Sequence, residues 1–235
     1  MPRLLLLLPL LLVLACAADP HATAQTDEAA GAPPPMEDPE AVAARDARIA
    51  AVANPDTALF AAGCFWCAET AYEGRDGILA VVSGFAGGTV PNPTYAQVTR
   101  GGTGHYEVVQ VIYDADVVSY DRLLEIFWRN IDPFQDDGQF CDRGPSYRSA
   151  IFALDAEQRR LAEGSKAEVE ARFEPAVVTE ILGAAPFYPA EAYHQDFWLK
   201  DPDRYTSYRA GCGRDARLEA IWGDEAGEDP AIGTY

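Results

Sequence analysis

The sequence predicts an α/β fold in two layers, in which helices pack on a mixed β-sheet. The continuous apolar run at residues 78–82 and the largely apolar run at 108–113 are typical of buried strands. Apolar pairs four residues apart, such as Leu123 with Phe127, indicate helices that bury one face. These segments alternate in the order β-α-β-β-α-β-α-β, which predicts a ferredoxin-like core with added irregular loops and a C-terminal tail.

Turn-forming residues separate the predicted elements, which follow one another from residue 59 to residue 198. Strands are predicted at 59–62, 78–82, 108–113, 148–153 and 177–182. Helices are predicted at 65–73, 119–128, 155–173 and 191–198. Ser119 and Asp155 suit the N-cap positions of the second and third helices, because their side-chain oxygens can accept from free backbone N–H groups. A glycine-rich loop at 84–104 and an irregular stretch at 132–145 complete this region.

The N-terminus has the pattern of a secretory signal. Arg3 is followed by an apolar run at 4–14, which is too short to span a bilayer but suits a signal core. The run ends in Val-Leu-Ala-Cys, which resembles the bacterial lipoprotein cleavage motif. We therefore expect residues 1–15 to be removed and Cys16 to become a lipidated first residue, with the protein in the periplasm or cell envelope. Ordinary signal cleavage a few residues later, with soluble release, is the alternative.

Composition then divides the rest of the chain. Residues 16–55 are rich in Ala and Pro and predict a flexible linker, in which a short helix at 41–52 also fits. Residues 56–223 form the predicted catalytic domain, and 224–235 an acidic tail. The formal net charge of −19 argues against binding nucleic acid or an anionic membrane, so we expect membrane contact only through a lipid anchor.

The cysteine count points to redox or metal chemistry. Apart from Cys16, the chain has Cys64, Cys67, Cys141 and Cys212, too few for a disulfide scaffold. A zinc module on these four thiols is disfavoured, because only one CxxC pair exists and the other two cysteines are far apart.

The pentad Gly63-Cys64-Phe65-Trp66-Cys67 is the strongest single signal. It lies at a predicted strand-to-helix junction, where unpaired N–H groups and the helix dipole stabilise a thiolate. We therefore expect an ionised, nucleophilic Cys64 walled by two aromatic rings. The alternative is a pair of buried structural cysteines.

Three further segments present polar side chains that a simple connection would not need. The turn Pro-Asn-Pro-Thr-Tyr ends in Tyr95, a glycine run leads to Glu107, and the stretch beginning with Cys141 and Asp142 ends near Tyr147. A thiolate, a carboxylic acid and two phenols suffice to attack an S=O group and protonate its oxygen. His105 and His194 are expected to be structural hydrogen-bonding groups.

At these residues the chain resembles the A-type peptide methionine sulfoxide reductase family. Five motifs occur in the family's order: Gly-Cys-Phe-Trp, Pro-Asn-Pro-Thr-Tyr, Thr-Gly-His-x-Glu, Tyr-Arg-Ser-Ala-Ile, and a later Tyr before Tyr-His-Gln. The resemblance covers about residues 59–213. It implies reduction of the S epimer of methionine sulfoxide, free or within oxidised proteins, by a monomer with no bound cofactor or metal.

The resemblance also implies residue roles. Cys64 attacks the sulfoxide sulfur, and Glu107, with a pKa raised by burial, protonates the oxygen. Tyr95 and Tyr147 donate hydrogen bonds to that oxygen, and Asp142 acts through ordered water. We also expect Phe65 and Trp66 to hold the S-methyl group.

The sulfenic acid left on the nucleophile must be resolved by a second thiol and recycled by an external thioredoxin-type dithiol. Cys212, expected on a flexible C-terminal tail, is the favoured resolving residue, because the family places a resolving cysteine near this position and a flexible tail allows sulfur-to-sulfur reach. Cys67 and Cys141 remain alternatives. The main rival function is a thiol–disulfide oxidoreductase using Cys64 and Cys67 as a CxxC pair. That rival does not explain the phenols and the carboxyl group.

Overall fold

The structure, a computed structural model, describes residues 37–227. The strands are Pro55–Ala62 (β1), Ile78–Ala86 (β2), Tyr106–Asp114 (β3), Gly138–Gln139 (β4), Asp142–Arg143 (β5), Ser149–Ala153 (β6), Glu180–Gly183 (β7) and Phe187–Pro189 (β8). The helices are Pro39–Ala50 (α1), Phe65–Tyr72 (α2), Tyr95–Arg100 (α3), Tyr120–Arg129 (α4), Ala156–Arg172 (α5), Phe197–Lys200 (α6), Pro202–Gly211 (α7) and Arg214–Trp222 (α8).

Six strands form the main sheet in the order β7-β6-β1-β3-β2-β8, while β4 and β5 pair separately. Every neighbouring pair in the main sheet is antiparallel except β6 and β7, which run parallel. The inner order β6-β1-β3-β2, with α2 after β1 and α4 after β3, is the ferredoxin-like arrangement. The predicted α/β fold class and mixed sheet are therefore confirmed.

The core follows the two-residue period of the strands. In β1, Ala58 and Phe60 lie on the face that packs against helices, whereas Leu59 and Ala61 belong to a second apolar cluster. The Phe60 ring stacks on a tyrosine of α2 and a phenylalanine of α4, at centroid distances of 5.5 and 5.2 Å. Helices α5 and α8 add further side chains to the same cluster. This packing fixes the start of α2, and with it the pentad.

Two predicted segments near the C-terminus are wrong. Residues 192–196 form turns and α6 begins only at Phe197, because Asp196 has a left-handed φ of 50° that interrupts the helix predicted at 191–198. Cys212 was expected on a flexible tail, but it is the C-cap residue of α7, and α8 begins two residues later. Leu218 and Trp222 of α8 are buried in the core, which holds this segment down. The sequence interpretation also missed α3 and β8.

The N-terminal segments are described only in part. The proposed signal residues and Cys16 lie outside the described residues. Helix α1 falls within the segment assigned to the linker, two residues before the short helix considered at 41–52. Within residues 37–227, none of the helices combines the length and apolarity needed to cross a membrane.

Candidate active site

Three strand ends meet at one edge of the sheet. Ala62, at the end of β1, pairs with Ser149, at the start of β6. Because β1 and β3 are antiparallel neighbours, the end of β1 also lies near the start of β3. Residues just outside these ends therefore converge, although more than eighty positions separate the first from the last.

The first of these residues form the junction between β1 and α2. Gly63 has φ 82°, and a Cβ there would lie 2.5 Å from the Cβ of Gln139, so the turn requires glycine. Cys64 follows as the N-cap of α2, with extended angles and no side-chain cap. Its thiol therefore lies outside the helix, and Cys67 lies in the first turn, where its N–H bonds to the Cys64 carbonyl at 3.1 Å.

Glu107, at the start of β3, is the buried acid of the site. Its side chain is only 1 % exposed, and its Oε2 accepts the Phe65 backbone N–H at 3.1 Å. Its Oε1 is buried without a hydrogen-bond partner among the described residues. Burial, more than the nearby charges of Asp142 and Cys67, raises the pKa of Glu107 to about 8. The carboxyl group is thus predominantly protonated at neutral pH.

The two thiols of the pentad form a coupled pair. Cys64 and Cys67 are both buried and free of disulfide bonds among the described residues, with Cys64 5 % exposed. Burial raises the pKa of Cys64, and its hydrogen bond with Cys67 adds to this effect. The same hydrogen bond lowers the pKa of Cys67 to about 6. The expectation of a resting thiolate on Cys64 is therefore wrong, because the helix N-terminus does not offset burial.

Two buried arginines favour the charge on Cys67, and the sequence interpretation missed both. The positive charges of Arg214 and Arg209 each lower the Cys67 pKa. Arg214 donates to the backbone oxygens of Ala62 at 3.2 Å and Asn130 at 2.8 Å, which fixes it beneath the end of β1. Buried arginines in a charged C-terminal segment carry no periodic signal that could have identified them.

The two predicted phenols stand together beside the acid. Tyr95 begins α3 and Tyr147 precedes β6. The two phenols and the Glu107 carboxyl group influence one another electrostatically. Burial, followed by the Glu107 charge, raises the pKa of Tyr95 to about 12 and raises the pKa of Tyr147 as well. Both phenols therefore remain protonated donors at neutral pH.

Aromatic side chains surround the thiol pair. The Trp66 ring stacks on Phe197 at a centroid distance of 3.8 Å, and its Nε1 donates to His194 Nδ1 at 3.2 Å. The Phe65 ring packs against the rings of Tyr95 and His194, at centroid distances of 6.1 and 5.0 Å. Burial lowers the pKa of His194 to about 4, so it is a neutral acceptor that orients Trp66. His194 is thus a structural hydrogen-bonding group, as predicted.

His105 is likewise held in hydrogen bonds, as predicted. Its Nδ1 accepts the Gly88 N–H at 3.1 Å, and its Nε2 lies 2.7 Å from the Val90 carbonyl. It therefore braces the loop between β2 and β3.

Asp142 connects the site to the C-terminal helices. Burial raises the pKa of Asp142, and its carboxylate accepts a hydrogen bond from the Tyr208 hydroxyl. Tyr208, on α7, also lowers the pKa of the Cys64 thiol. The sequence interpretation missed Tyr208, since nothing in its local pattern distinguishes it from a surface tyrosine of a charged helix.

The other two cysteines form a disulfide next to Asp142. Cys141 and Cys212 are bonded, with their Cα atoms 4.9 Å apart. Cys141 is exposed and Cys212 half-buried, so solvent reaches this disulfide. The four thiols are thus divided between a buried free pair and a surface bonded pair, which does not fit a zinc centre on all four.

A free thiol pair, a protonated carboxyl group and two phenols in one site define a thiol-dependent oxidoreductase. Comparisons with known proteins specify the family. The family model described as peptide methionine sulfoxide reductase matches residues 56–226. The chain belongs to the peptide methionine sulfoxide reductase family.

Relatives and solved structures agree with this assignment. The chain is 50 % identical to peptide methionine sulfoxide reductase MsrA of Bacillus licheniformis over 72 % of this chain and 94 % of that protein. It is 49 % identical to peptide methionine sulfoxide reductase MsrA 2 of Caulobacter vibrioides over 78 % of this chain and 94 % of that protein. Mxr1 of Saccharomyces cerevisiae in reduced form is a similar structure, with a TM-score of 0.60 and 30 % identity over 64 % of this chain and 87 % of that chain. The structure of methionine sulfoxide reductase A of Corynebacterium diphtheriae is also similar, with a TM-score of 0.58 and 34 % identity over 63 % of this chain and 76 % of that chain.

Proposed function

We propose that this protein reduces the S epimer of methionine sulfoxide, free and within oxidised proteins, to methionine. Family membership supports this activity. The observation that carries it in this chain is a carboxylic acid, Glu107, that stays protonated beside the thiol pair. A sulfoxide oxygen needs a proton as its S–O bond breaks, and a buried acid with a pKa near 8 can supply it.

The first step joins Cys64 to the substrate. The Cys64 sulfur, after passing its proton to the Cys67 thiolate, attacks the sulfoxide sulfur. Glu107 gives its proton to the sulfoxide oxygen, and the phenols of Tyr95 and Tyr147 donate hydrogen bonds to it as charge develops. The hydroxyl then moves to the Cys64 sulfur as the S–O bond and the new S–S bond both break. Methionine leaves with the two electrons of the S–S bond, and Cys64 is left as a sulfenic acid.

Substrate recognition rests on the aromatic wall. Phe65 and Trp66 offer an apolar surface for the S-methyl group, and the contacts of Trp66 with Phe197 and His194 hold its ring in one orientation. Asp142, hydrogen bonded to Tyr208, is suited to hold water near the same thiol. The epimer preference follows from having the acid and the apolar wall on fixed sides of the attacking sulfur.

We infer that Cys67, rather than Cys212, resolves the sulfenic acid. Cys67, which holds the proton that it took from Cys64, attacks the Cys64 sulfur. The new S–S bond forms, the S–OH bond breaks, and the hydroxyl leaves as water with the proton that Cys67 gives up. Cys64 is the N-cap and not an interior helical residue, so the two sulfurs can meet without unwinding α2. Cys212 is paired with Cys141 and is not available as a free thiol in this state.

The surface cysteines Cys141 and Cys212 are proposed to take over the disulfide from the catalytic thiols. Reduced Cys141 and Cys212 would exchange with the buried Cys64–Cys67 disulfide, which frees both catalytic thiols and leaves the Cys141–Cys212 disulfide. An external thioredoxin-type dithiol then reduces this disulfide, which solvent reaches. A buried free pair beside a surface disulfide is the arrangement expected at the end of that relay. No bound cofactor is needed.

Counting methionine produced by the fully reduced protein, without added reductant, tests the relay. Four thiols carry four electrons, so the wild type should yield two methionines per chain from the S epimer and none from the R epimer. Cys212→Ser and Cys67→Ser should each yield one, and Cys64→Ser none. A yield of one methionine per chain from the wild type would show that the surface disulfide takes no part in the relay and has a structural role only. Two from Cys67→Ser would contradict its assignment as the resolving residue.

A CxxC thiol–disulfide oxidoreductase is the second candidate, favoured by the hydrogen-bonded Cys64–Cys67 pair at a helix N-terminus. Disulfide reduction does not require a proton donor to a sulfoxide oxygen. Insulin reduction that survives Glu107→Gln, together with loss of epimer preference in sulfoxide reduction, would favour this candidate.

We further propose that the protein is exported as a monomer and anchored by a lipid on Cys16. The apolar run at 4–14 and the motif before Cys16 support this proposal. Mass spectrometry of the mature N-terminus, with Cys16→Ser as the matched variant, tests it. A soluble wild type that begins beyond residue 16 would contradict the anchor.

A further inference from the structure

Three carboxylates meet at α2, outside the thiol pair. Glu69 lies in this helix, Glu73 is its C-cap residue one turn further on, and Asp196 precedes α6. One oxygen from each carboxylate lies within 4.8 Å of the others. Such close packing of like charges is unfavourable without a compensating positive charge.

Glu69 is the reason to expect a ligand here. Its side chain is 0 % exposed, and its Oε1 accepts the Asp196 backbone N–H at 3.1 Å. Its Oε2 is buried without a hydrogen-bond partner among residues 37–227. A buried carboxylate oxygen with no partner is costly, so this atom indicates a missing cation or proton.

The surrounding charges leave room for a doubly charged ion. Lys200 is the nearest ammonium that acts on Glu69, and its Nζ donates to the backbone oxygens of Ala192 at 2.8 Å and Gln195 at 2.5 Å. Glu73 accepts a hydrogen bond from Trp198 Nε1. When all three carboxylates are ionised, they and the one ammonium give −3 + 1 = −2, which a divalent cation would neutralise.

We propose that Glu69, Glu73 and Asp196 bind a divalent cation, with Ca²⁺ as the favoured ion. Ca²⁺ takes oxygen ligands at about 2.3–2.6 Å, so opposite ligands lie roughly 4.6–5.2 Å apart. The observed oxygen separations, none above 4.8 Å, allow all three oxygens to reach one ion. A cavity of about 310 Å³ adjoins the cluster and is lined by Glu73 and Asp196, and also by Arg45, Arg48 and Lys200.

The ion would fasten two elements that hold the active site. Glu69 belongs to α2, whose N-terminus carries the pentad, and Glu73 is its C-cap residue. Asp196 lies between His194 and Phe197, which both contact Trp66. Binding would therefore order the aromatic wall. This inference does not depend on the proposed reaction, because it concerns a binding site outside the thiol pair.

Thermal unfolding of the full-length protein with and without calcium chloride tests the proposal. At ten times its Kd, Ca²⁺ should raise Tm by about 3–6 °C. Glu73→Gln and Asp196→Asn should each lose most of this shift, while the exposed-residue control Glu125→Gln should keep it. An unchanged wild-type Tm in millimolar Ca²⁺, or an undiminished shift in both cluster variants, would overturn the proposal and leave a shared proton as the occupant.

Terbium luminescence gives a second readout that does not depend on stability. Excitation of Trp198, which is bonded to Glu73, should sensitise a bound Tb³⁺ ion, and added Ca²⁺ should compete it away. Trp198→Phe should lose most of the luminescence but keep the Ca²⁺-dependent Tm shift. Luminescence that never saturates with Tb³⁺, or that Ca²⁺ does not displace, would count against a specific site.

Discussion

Replacing Glu107 by Gln should make the protein more stable and much less active. The amide has nearly the same shape, so its oxygen can keep the hydrogen bond from the Phe65 N–H at 3.1 Å. Its NH₂ group would replace Oε1, which has no partner among the described residues. The substitution therefore removes the ionisable proton with little change in packing.

The stability effect depends on pH with a definite sign. The pKa of Glu107 is raised by burial from 4.5 in the unfolded reference to about 8 in the fold. Between these values the folded state binds more protons than the unfolded state, so wild-type stability falls as pH rises. At about 1.4 kcal/mol per pH unit, ionisation in the unfolded state costs the wild type about 3 kcal/mol at pH 7 relative to acid pH. Gln does not titrate and avoids this loss.

Paired measurements of unfolding and turnover check both halves of the prediction. The free-energy difference between Glu107→Gln and the wild type in urea should grow steadily from mildly acid to neutral pH. Methionine formation in the first turnover should fall by a factor of about 10²–10⁴, the usual contribution of a general acid. A stability difference that does not change with pH, or turnover reduced less than tenfold, would refute the assignment of Glu107 as a buried proton donor.

Two further substitutions test the hydrogen-bond donors and the turn. Tyr147→Phe should lower the rate of first-turnover sulfoxide reduction about 100-fold, because it removes a hydrogen-bond donor to the sulfoxide oxygen. The control Tyr106→Phe should leave this rate unchanged, because the Tyr106 hydroxyl donates to Glu180 outside the site. Equal losses in the two variants, measured by stopped flow, would contradict this role of Tyr147. Gly63→Ala should lower the free energy of unfolding by about 1–3 kcal/mol and slow turnover, because its φ of 82° and the Gln139 side chain exclude a Cβ. The control Gly74→Ala should lower the free energy of unfolding less, because Gly74 has a similar φ of 73° but open space around its Cβ position. Similar urea midpoints for Gly63→Ala and Gly74→Ala would show that the contact with Gln139 is not the cause of the loss.

The fold was predictable because each strand carries its own signal. Apolar runs identified β2 and β3, and the order of strands and helices determined the ferredoxin-like core. Antiparallel pairing then brings the pentad, Glu107 and Tyr147 to one edge, so their proximity follows from topology. The short elements α3 and β8 were missed because so few residues carry no clear period.

The electrostatics of the site were not predictable, because they depend on parts of the chain remote in sequence. Tyr208, which is 144 positions further on, lowers the pKa of Cys64 against the effect of burial, and Arg214 favours the charge on Cys67. Four cysteines also allow several pairings, and sequence alone does not choose among them. The expectation that Cys212 lies on a flexible tail was wrong because Trp222 of α8 is buried in the core, which spacing alone does not reveal.

In this site the usual order of pKa values is reversed, because the thiol pair loses its proton at lower pH than the carboxyl group does. This reversal predicts the pH dependence of the reaction. A carboxylic acid is normally far more acidic than a thiol, yet Glu107 has a pKa of about 8 and Cys67 of about 6. Between these values the thiol pair carries a negative charge while the carboxyl group keeps its proton, so nucleophile and acid coexist. First-turnover kcat/KM should therefore be bell-shaped, rising near pH 6 and falling near pH 8.

Each limb of the profile should respond to one substitution. Cys67→Ser removes the group that accepts the Cys64 proton, so the rising limb should move to higher pH, because burial alone raises the pKa of Cys64. Glu107→Gln should abolish the falling limb at low residual activity. If the rising limb stays in place in Cys67→Ser, the charge that prepares the attack does not reside on the thiol pair. In that case Cys64 must be activated by another group of the site, with the Tyr208 hydroxyl beside its sulfur as the first to examine.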